Sequence, residues 1–63
     1  MDLTSPIEDL LLATRTRNAL RQGGIETVGD LLESDEERLF SIDGFGVSSL
    51  DDVLTRLAQA GLR

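Results

Sequence analysis

Apolar residues recur at three- and four-residue steps along nearly the whole chain, and glycines punctuate them; that spacing predicts short helices throughout. The strongest run is Leu50, Val53, Leu54 and Leu57 at i, i+3, i+4 and i+7, a helix from about Val47 to Ala60 stopped by Gly61. Leu12, Thr16, Ala19 and Leu20 define the inner side of a helix over Thr14 to Gln22. Gly23-Gly24 closes it with a left-handed residue, and Ile25 is expected to pack back on its last turn. Thr27 caps a short helix, Val28 to Leu32, whose buried set is Val28, Leu31 and Leu32. Gly29 inside it lowers helix propensity and leaves room for another helix to approach. Ser34-Asp35-Glu36-Glu37 reads as a capping box with an acidic first turn, opening a third helix that ends near Phe40 with Leu39 and Phe40 inward. Ahead of these, Pro6 suits a first helical turn, and Ile7, Leu10 and Leu11 follow at helical spacing, so a short N-terminal segment is expected to pack on the rest. Residues 1–5 read as a linker remnant or frayed end and 6–62 as one domain. With no strand alternation, repeat or low-complexity segment, the expected fold is all-α: a compact bundle of four short helices plus an N-terminal helical turn.

One stretch departs from plain packing, Ser41-Ile42-Asp43-Gly44-Phe45-Gly46-Val47-Ser48-Ser49-Leu50. Two glycines flank one large apolar residue, and a helix starts directly after them. Glycine allows a sharp turn and a close partner, while Ile42 and Phe45 anchor the turn in the core. The first N–H groups of the following helix lack internal partners and suit an anion such as a nucleic-acid phosphate. This is the logic of a helix-hairpin-helix element; a plain interhelical turn that binds nothing is the alternative.

Composition narrows the choice of chemistry. The protein has 63 residues, a formal net charge of −6, and neither cysteine nor histidine. Disulfides, thiolate metal sites and histidine-based acid–base or nucleophilic catalysis are therefore excluded. No apolar run approaches the roughly 20 residues of a membrane span, and Met1-Asp2-Leu3-Thr4 has no signal-peptide character. A soluble intracellular domain is expected. The carboxylates fall at helix starts and on solvated faces, so catalytic residues, metal ligands and cofactors are all expected to be absent.

Net acidity argues against a nucleic-acid partner, but the distribution changes that picture. All six basic residues are arginines, and no acid lies between Asp9 and Glu26. Arg15, Asn18 and Gln22 share one helical side, with the pair Arg17 and Arg21 beside it. That flank is cationic and rich in donors, suited to phosphates and to a narrow, electronegative A·T-rich minor groove; a merely solvated helix face is the other explanation. Asp35, Glu36 and Glu37 are explained by the helix dipole, with an acidic docking face for a basic partner as the alternative.

The order of four blocks is more specific than any of these signals. Pro6-Ile7-Glu8-Asp9-Leu10, Thr14-Arg15-Thr16-Arg17-Asn18-Ala19-Leu20, Ile25-Glu26-Thr27-Val28-Gly29-Asp30-Leu31 and Phe45-Gly46-Val47-Ser48-Ser49-Leu50 closely resemble the C-terminal domain of the bacterial RNA polymerase alpha subunit, from about Ser5 to Leu62. The resemblance implies a non-catalytic module on a flexible linker from the polymerase core, cytoplasmic and nucleoid-associated. It implies contact with double-stranded A·T-rich promoter DNA through the minor groove and docking of transcription activators and sigma factor. A membrane or a small-molecule substrate is not implied. By resemblance Arg15 enters the minor groove, and Asn18, Arg21, Gly46 and Ser49 match the family's remaining DNA-facing positions and are expected to hold the phosphates. Asp52 matches the acid used for contact; with its neighbour Asp51 it is expected to offer a protein-facing acidic edge. Ser48 and Arg17 complete the expected DNA-binding set.

Two departures weigh against strong DNA binding. Val47 and Ser48 stand where the family usually has lysines or similar polar residues, and each lost cation removes a counterion-release contribution. Arg17 stands where a small or neutral residue is common, which partly compensates. A protein-interaction domain of the same fold with weak or lost DNA binding is therefore the rival expectation, and a helix-hairpin-helix accessory domain of a repair or recombination protein is a third.

Overall fold

The computed structural model describes residues 2–62. A 3-10 turn, Ile7–Leu10, leads into α1 (Thr14–Gln22), α2 (Val28–Glu33), α3 (Glu36–Phe40) and α4 (Val47–Gln59). The described residues form no strand beyond one isolated antiparallel bridge between Pro6 and Thr27. The expected four helices and N-terminal turn are thus present, joined by connections of a few residues. Ile7, Leu20, Val28 and Leu57 are fully buried and draw the turn, α1, α2 and α4 onto one core.

The ends of α1 and α4 are built alike. After α1, Ile25 N–H donates to Leu20 C=O (2.9 Å) and Gly24 N–H to Arg21 C=O (3.0 Å), with Gly24 at φ +84°. After α4, Leu62 N–H donates to Leu57 C=O (2.9 Å) and Gly61 N–H to Ala58 C=O (3.1 Å). This pair of bonds satisfies the last carbonyls and turns the next apolar residue back to the core: Ile25 is buried, and Leu62 packs against the buried cluster. Thr27 caps α2 as expected, within a reciprocal box: its Oγ1 accepts from Asp30 N–H (3.1 Å), and Asp30 Oδ2 accepts from Thr27 N–H (3.3 Å).

Several local expectations are corrected. The cap of α3 is Asp35, whose Oδ1 accepts from Arg38 N–H (2.8 Å), while Ser34 closes α2 by donating its hydroxyl to Asp30 C=O (2.9 Å). The connection is only two residues long, so one ends the first helix and the other starts the second. Leu11 is not packed: it is 72% exposed and left-handed at φ 58°. A 3-10 turn repeats every three residues, so Ile7 and Leu10 share the inner face and Leu11 rotates off it. Phe40 and Leu54 are exposed rather than inward; Phe40, the last residue of α3, meets Phe45 edge-on at the rim of the core, ring centroids 6.2 Å apart. Asp51 and Asp52 lie beyond the first turn of α4, which begins at Val47 and holds no acid.

The N-terminal segment, rather than another helix, takes the space left by Gly29. Leu3 C=O accepts from Gly29 N–H (2.8 Å), and Ser5 C=O from Val28 N–H (2.9 Å). A β-carbon on Gly29 would stand 2.9 Å from the Leu3 carbonyl oxygen, so only glycine fits there. Residues 3–5 therefore run against the start of α2 and supply partners for N–H groups that the helix leaves open.

Candidate nucleic-acid interface

The starts of α1 and α4 face each other. Between them lies an open cleft of about 340 Å³, lined on one side by Ala13, Arg15 and Thr16 and on the other by Gly46, Ser48 and Ser49. A broader hollow of about 530 Å³ continues along α1 past Arg15 and Asn18 to Asp43 and Gly44 of the hairpin. Arg15 borders both hollows and forms no ion pair among the described residues. Arg15 and the glycine elbow, distant in sequence, therefore share one surface.

Charge on α1 runs against the needs of the helix. A helix N-terminus carries partial positive charge and favours acids, yet the first turn of α1 holds Arg15 and no acid. The start of α4 likewise has no cap from a side chain and no acid in its first turn. Two helix starts and one arginine thus border a single cleft, an arrangement that suits an anion, although the Asp52 carboxylate lines the same cleft and takes the Ala13 N–H.

Gly46 is the N-cap of α4, extended at φ −131°, and a β-carbon added there would meet nothing within 4 Å. Nothing inside the fold requires glycine at this position. Gly44, by contrast, turns the hairpin at φ +84°, a conformation that side chains resist. Ser48 and Val47 are exposed at the cleft, Val47 to 77%, whereas Ser49 is buried and only its edge reaches the lining.

The remaining arginines of α1 turn elsewhere. Arg21 forms an ion pair with Glu8 of the N-terminal turn, its Nε donating to Glu8 Oε2 at 2.6 Å. That hydrogen bond, aided by the nearby charges of Arg21 and Arg17, holds the Glu8 carboxyl below the usual carboxylate range. Neither Arg17 nor Arg21 lines the two hollows beside Arg15. The helical pattern groups these arginines on one flank, but it carries no sign of which one an acid on the N-terminal turn will engage.

Asp51 is exposed on α4, while Asp52 is half-buried and lines the cleft. Asp52 Oδ2 accepts from Ala13 N–H at 2.9 Å, and Oδ1 lies 3.9 Å from Arg56 Nε. Sequence patterning does not reveal this tie between α4 and α1. Its one legible sign is that alanine, a poor cap, precedes Thr14, so a capping group for α1 has to come from elsewhere in the fold.

Residues 1–59 match the family of C-terminal domains of the bacterial RNA polymerase alpha subunit. The protein is 48% identical over 61 residues to the DNA-directed RNA polymerase subunit alpha of Acidothermus cellulolyticus and 44% identical over 61 residues to that of a Nocardioides species, each alignment covering 97% of the present sequence. It is 42% identical over 62 residues to the subunit of the same name from Frankia alni, covering 98% of the present sequence. It spans about 18% of the length of these relatives. Since the family match runs over nearly every residue, this protein belongs to the family of C-terminal domains of the bacterial RNA polymerase alpha subunit.

Proposed function

We propose that this protein is a DNA- and protein-binding module of a bacterial RNA polymerase, acting in the cytoplasm at the nucleoid. In this reading it hangs by a linker from the polymerase core, contacts A·T-rich upstream promoter DNA through the minor groove and docks transcription activators or sigma factor. It carries no catalytic step itself. The observation that supports this most is the meeting of Arg15, which forms no ion pair among the described residues, with Gly46, Ser48 and Ser49 around one cleft.

Arg15 enters the minor groove, where a narrow A·T tract concentrates negative potential. Asn18 lies one turn further along the same face and reaches sugar or phosphate. The backbone at Gly46 and the N–H groups of Val47, Ser48 and Ser49 receive a phosphate, with the Ser48 hydroxyl beside them. Arg17 and Arg21 add to the field at longer range, and Arg21 must exchange Glu8 for a phosphate before it makes a direct contact. Asp51, exposed on α4, leads the protein-facing acidic edge beside Asp52.

A paired NMR titration with A·T-rich and G·C-rich duplexes at low salt tests the reading. The A·T-rich duplex is expected to shift the amides of Arg15, Asn18, Gly46, Ser48 and Ser49 first, with the G·C-rich duplex weaker. Absence of shifts with either duplex, alongside shifts with a sigma or activator fragment, would replace this reading by the protein-interaction one. Val47 is the observation favouring that rival, since an exposed valine occupies a rim position where a cation would serve DNA.

Gly46→Ser separates fold from function. Serine is at least as good a helix cap as glycine, and its β-carbon meets no neighbour within the protein. The thermal midpoint is therefore expected to hold or rise. A·T-duplex affinity is expected to fall about tenfold, as when one phosphate contact worth about 1.4 kcal/mol is lost. Undiminished binding would mean that DNA does not approach the Gly46 backbone.

A further inference from the structure

Resting on the DNA reading above, we propose that Asp52 is a positioning residue of the cleft: it caps α1 from α4, and its charge holds down the affinity of the cleft for phosphate. The residue before Thr14 is Ala13, whose methyl group cannot cap a helix, and α1 supplies no capping group of its own. The Ala13 N–H is taken instead by the Asp52 carboxylate, 39 residues away, at 2.9 Å. The bond joins the two helix starts that border the cleft. It fixes Arg15 on one wall relative to Gly46 and Ser48 on the other, and a site held in place before binding loses less freedom on binding.

The same carboxylate lines the cleft that Arg15 and the α4 N–H groups make favourable to anions. A phosphate entering there meets a like charge. Arg56, at 3.9 Å from Oδ1 and itself partly exposed, offsets that charge only in part. Arg15 forms no ion pair with Asp52, so the arginine stays available to a ligand. The two effects of Asp52 act in opposite directions: the bond assembles the site and the charge weakens it. The result is a rigid module with a loose grip.

Asparagine distinguishes the two effects, because its amide oxygen keeps the acceptor while the charge is gone. Asp52→Asn is expected to bind an A·T-rich duplex about threefold tighter than the wild type at low salt, the gap closing as salt rises. Asp52→Ala is expected to bind at least about fivefold more weakly than Asp52→Asn, since both lack the charge but only alanine lacks the bond. Amide exchange, read without DNA, is expected to quicken at Ala13 by about tenfold in Asp52→Ala and to return close to the wild-type rate in Asp52→Asn.

Equal duplex affinities for the two variants would overturn the positioning role. Asp52→Asn binding no tighter than the wild type would overturn the charge effect, and an unmoved Ala13 amide in Asp52→Ala would overturn the cap. If the wild type ignores duplex DNA while the Ala13 amide responds as expected, the DNA reading and the charge effect both fall and only the cap stands.

Discussion

Arg15→Ala is expected to abolish most binding to an A·T-rich duplex while leaving the fold as stable as before, or slightly more so. The stability half follows from the position of the residue. Arg15 is exposed in the first turn of α1, forms no ion pair among the described residues, and sits where a helix favours acids. Removing a cation from that end relieves an unfavourable dipole interaction of about 0.3–1 kcal/mol, and alanine is the better helix former. The binding half follows from the cleft, because on the proposed reading Arg15 alone among the α1 arginines borders both hollows. A charge-assisted hydrogen bond from the guanidinium contributes about 1.5–3 kcal/mol, so affinity should fall by roughly ten- to a hundredfold. The slope of log affinity against log salt should shrink by about one phosphate equivalent, near 0.9. Preference for A·T over G·C should collapse together with affinity. Arg15→Lys is the informative partner variant, since it keeps the charge and the salt slope but loses the planar fork. Fluorescence anisotropy at two or more salt concentrations reads all of these quantities. An Arg15→Ala variant with wild-type affinity removes Arg15 from the groove and leaves the conflict with the helix dipole unexplained.

That conflict shows what sequence reasoning reaches and where it stops. Helix positions are legible because Leu50, Val53 and Leu57, or Thr16, Ala19 and Leu20, repeat at steps only a helix can place on one side. The ends are legible where chemistry forces them: Gly24 and Gly61 supply the left-handed residue, and Thr27 has few roles other than a cap. Errors arise where one residue has two neighbours to serve. Ser34 reads as the cap of α3, and the shortness of the connection, a tertiary fact, assigns serine to the end of α2 and the cap to Asp35. Leu10 and Leu11 both look like core residues, and the tighter winding of a 3-10 turn excludes the second. The convergence of Arg15 with Gly46 is expected from two separate motifs joined by a resemblance. The ties that tune it, Glu8 to Arg21 and Asp52 to Ala13, are not. Hydrogen bonds from side chains across 13 and 39 residues leave no periodic trace in a single sequence. The sequence holds only their indirect sign, a helix start without its own cap or with the wrong charge.

Leu20→Ala is expected to unfold most of the population at room temperature, and the reason ties the core to the cleft. Leu20 is fully buried, and its carbonyl accepts the Ile25 N–H that closes α1. Truncating a buried leucine costs about 2–5 kcal/mol through lost burial and the cavity left behind. A single core in a protein this short rarely supplies more than about 3–5 kcal/mol in total. Alanine gains helix propensity at the same position, so any loss is packing alone. Leu11→Ala is the matched control: the same side chain, removed from an exposed position, should change stability by less than about 0.5 kcal/mol. Circular dichroism melts of the two variants test the contrast, and equal midpoints would show that Leu20 does not carry the core. Binding then gives a second, independent signature. Duplex DNA that binds only the folded state pulls unfolded molecules back by mass action. Leu20→Ala should therefore regain helical signal as an A·T-rich duplex is added, with an apparent affinity lowered by its folded fraction. Arg15→Ala, already folded, should show no such gain. The two variants both bind weakly, one for want of a fold and the other for want of a guanidinium, and only the first is restored by its ligand.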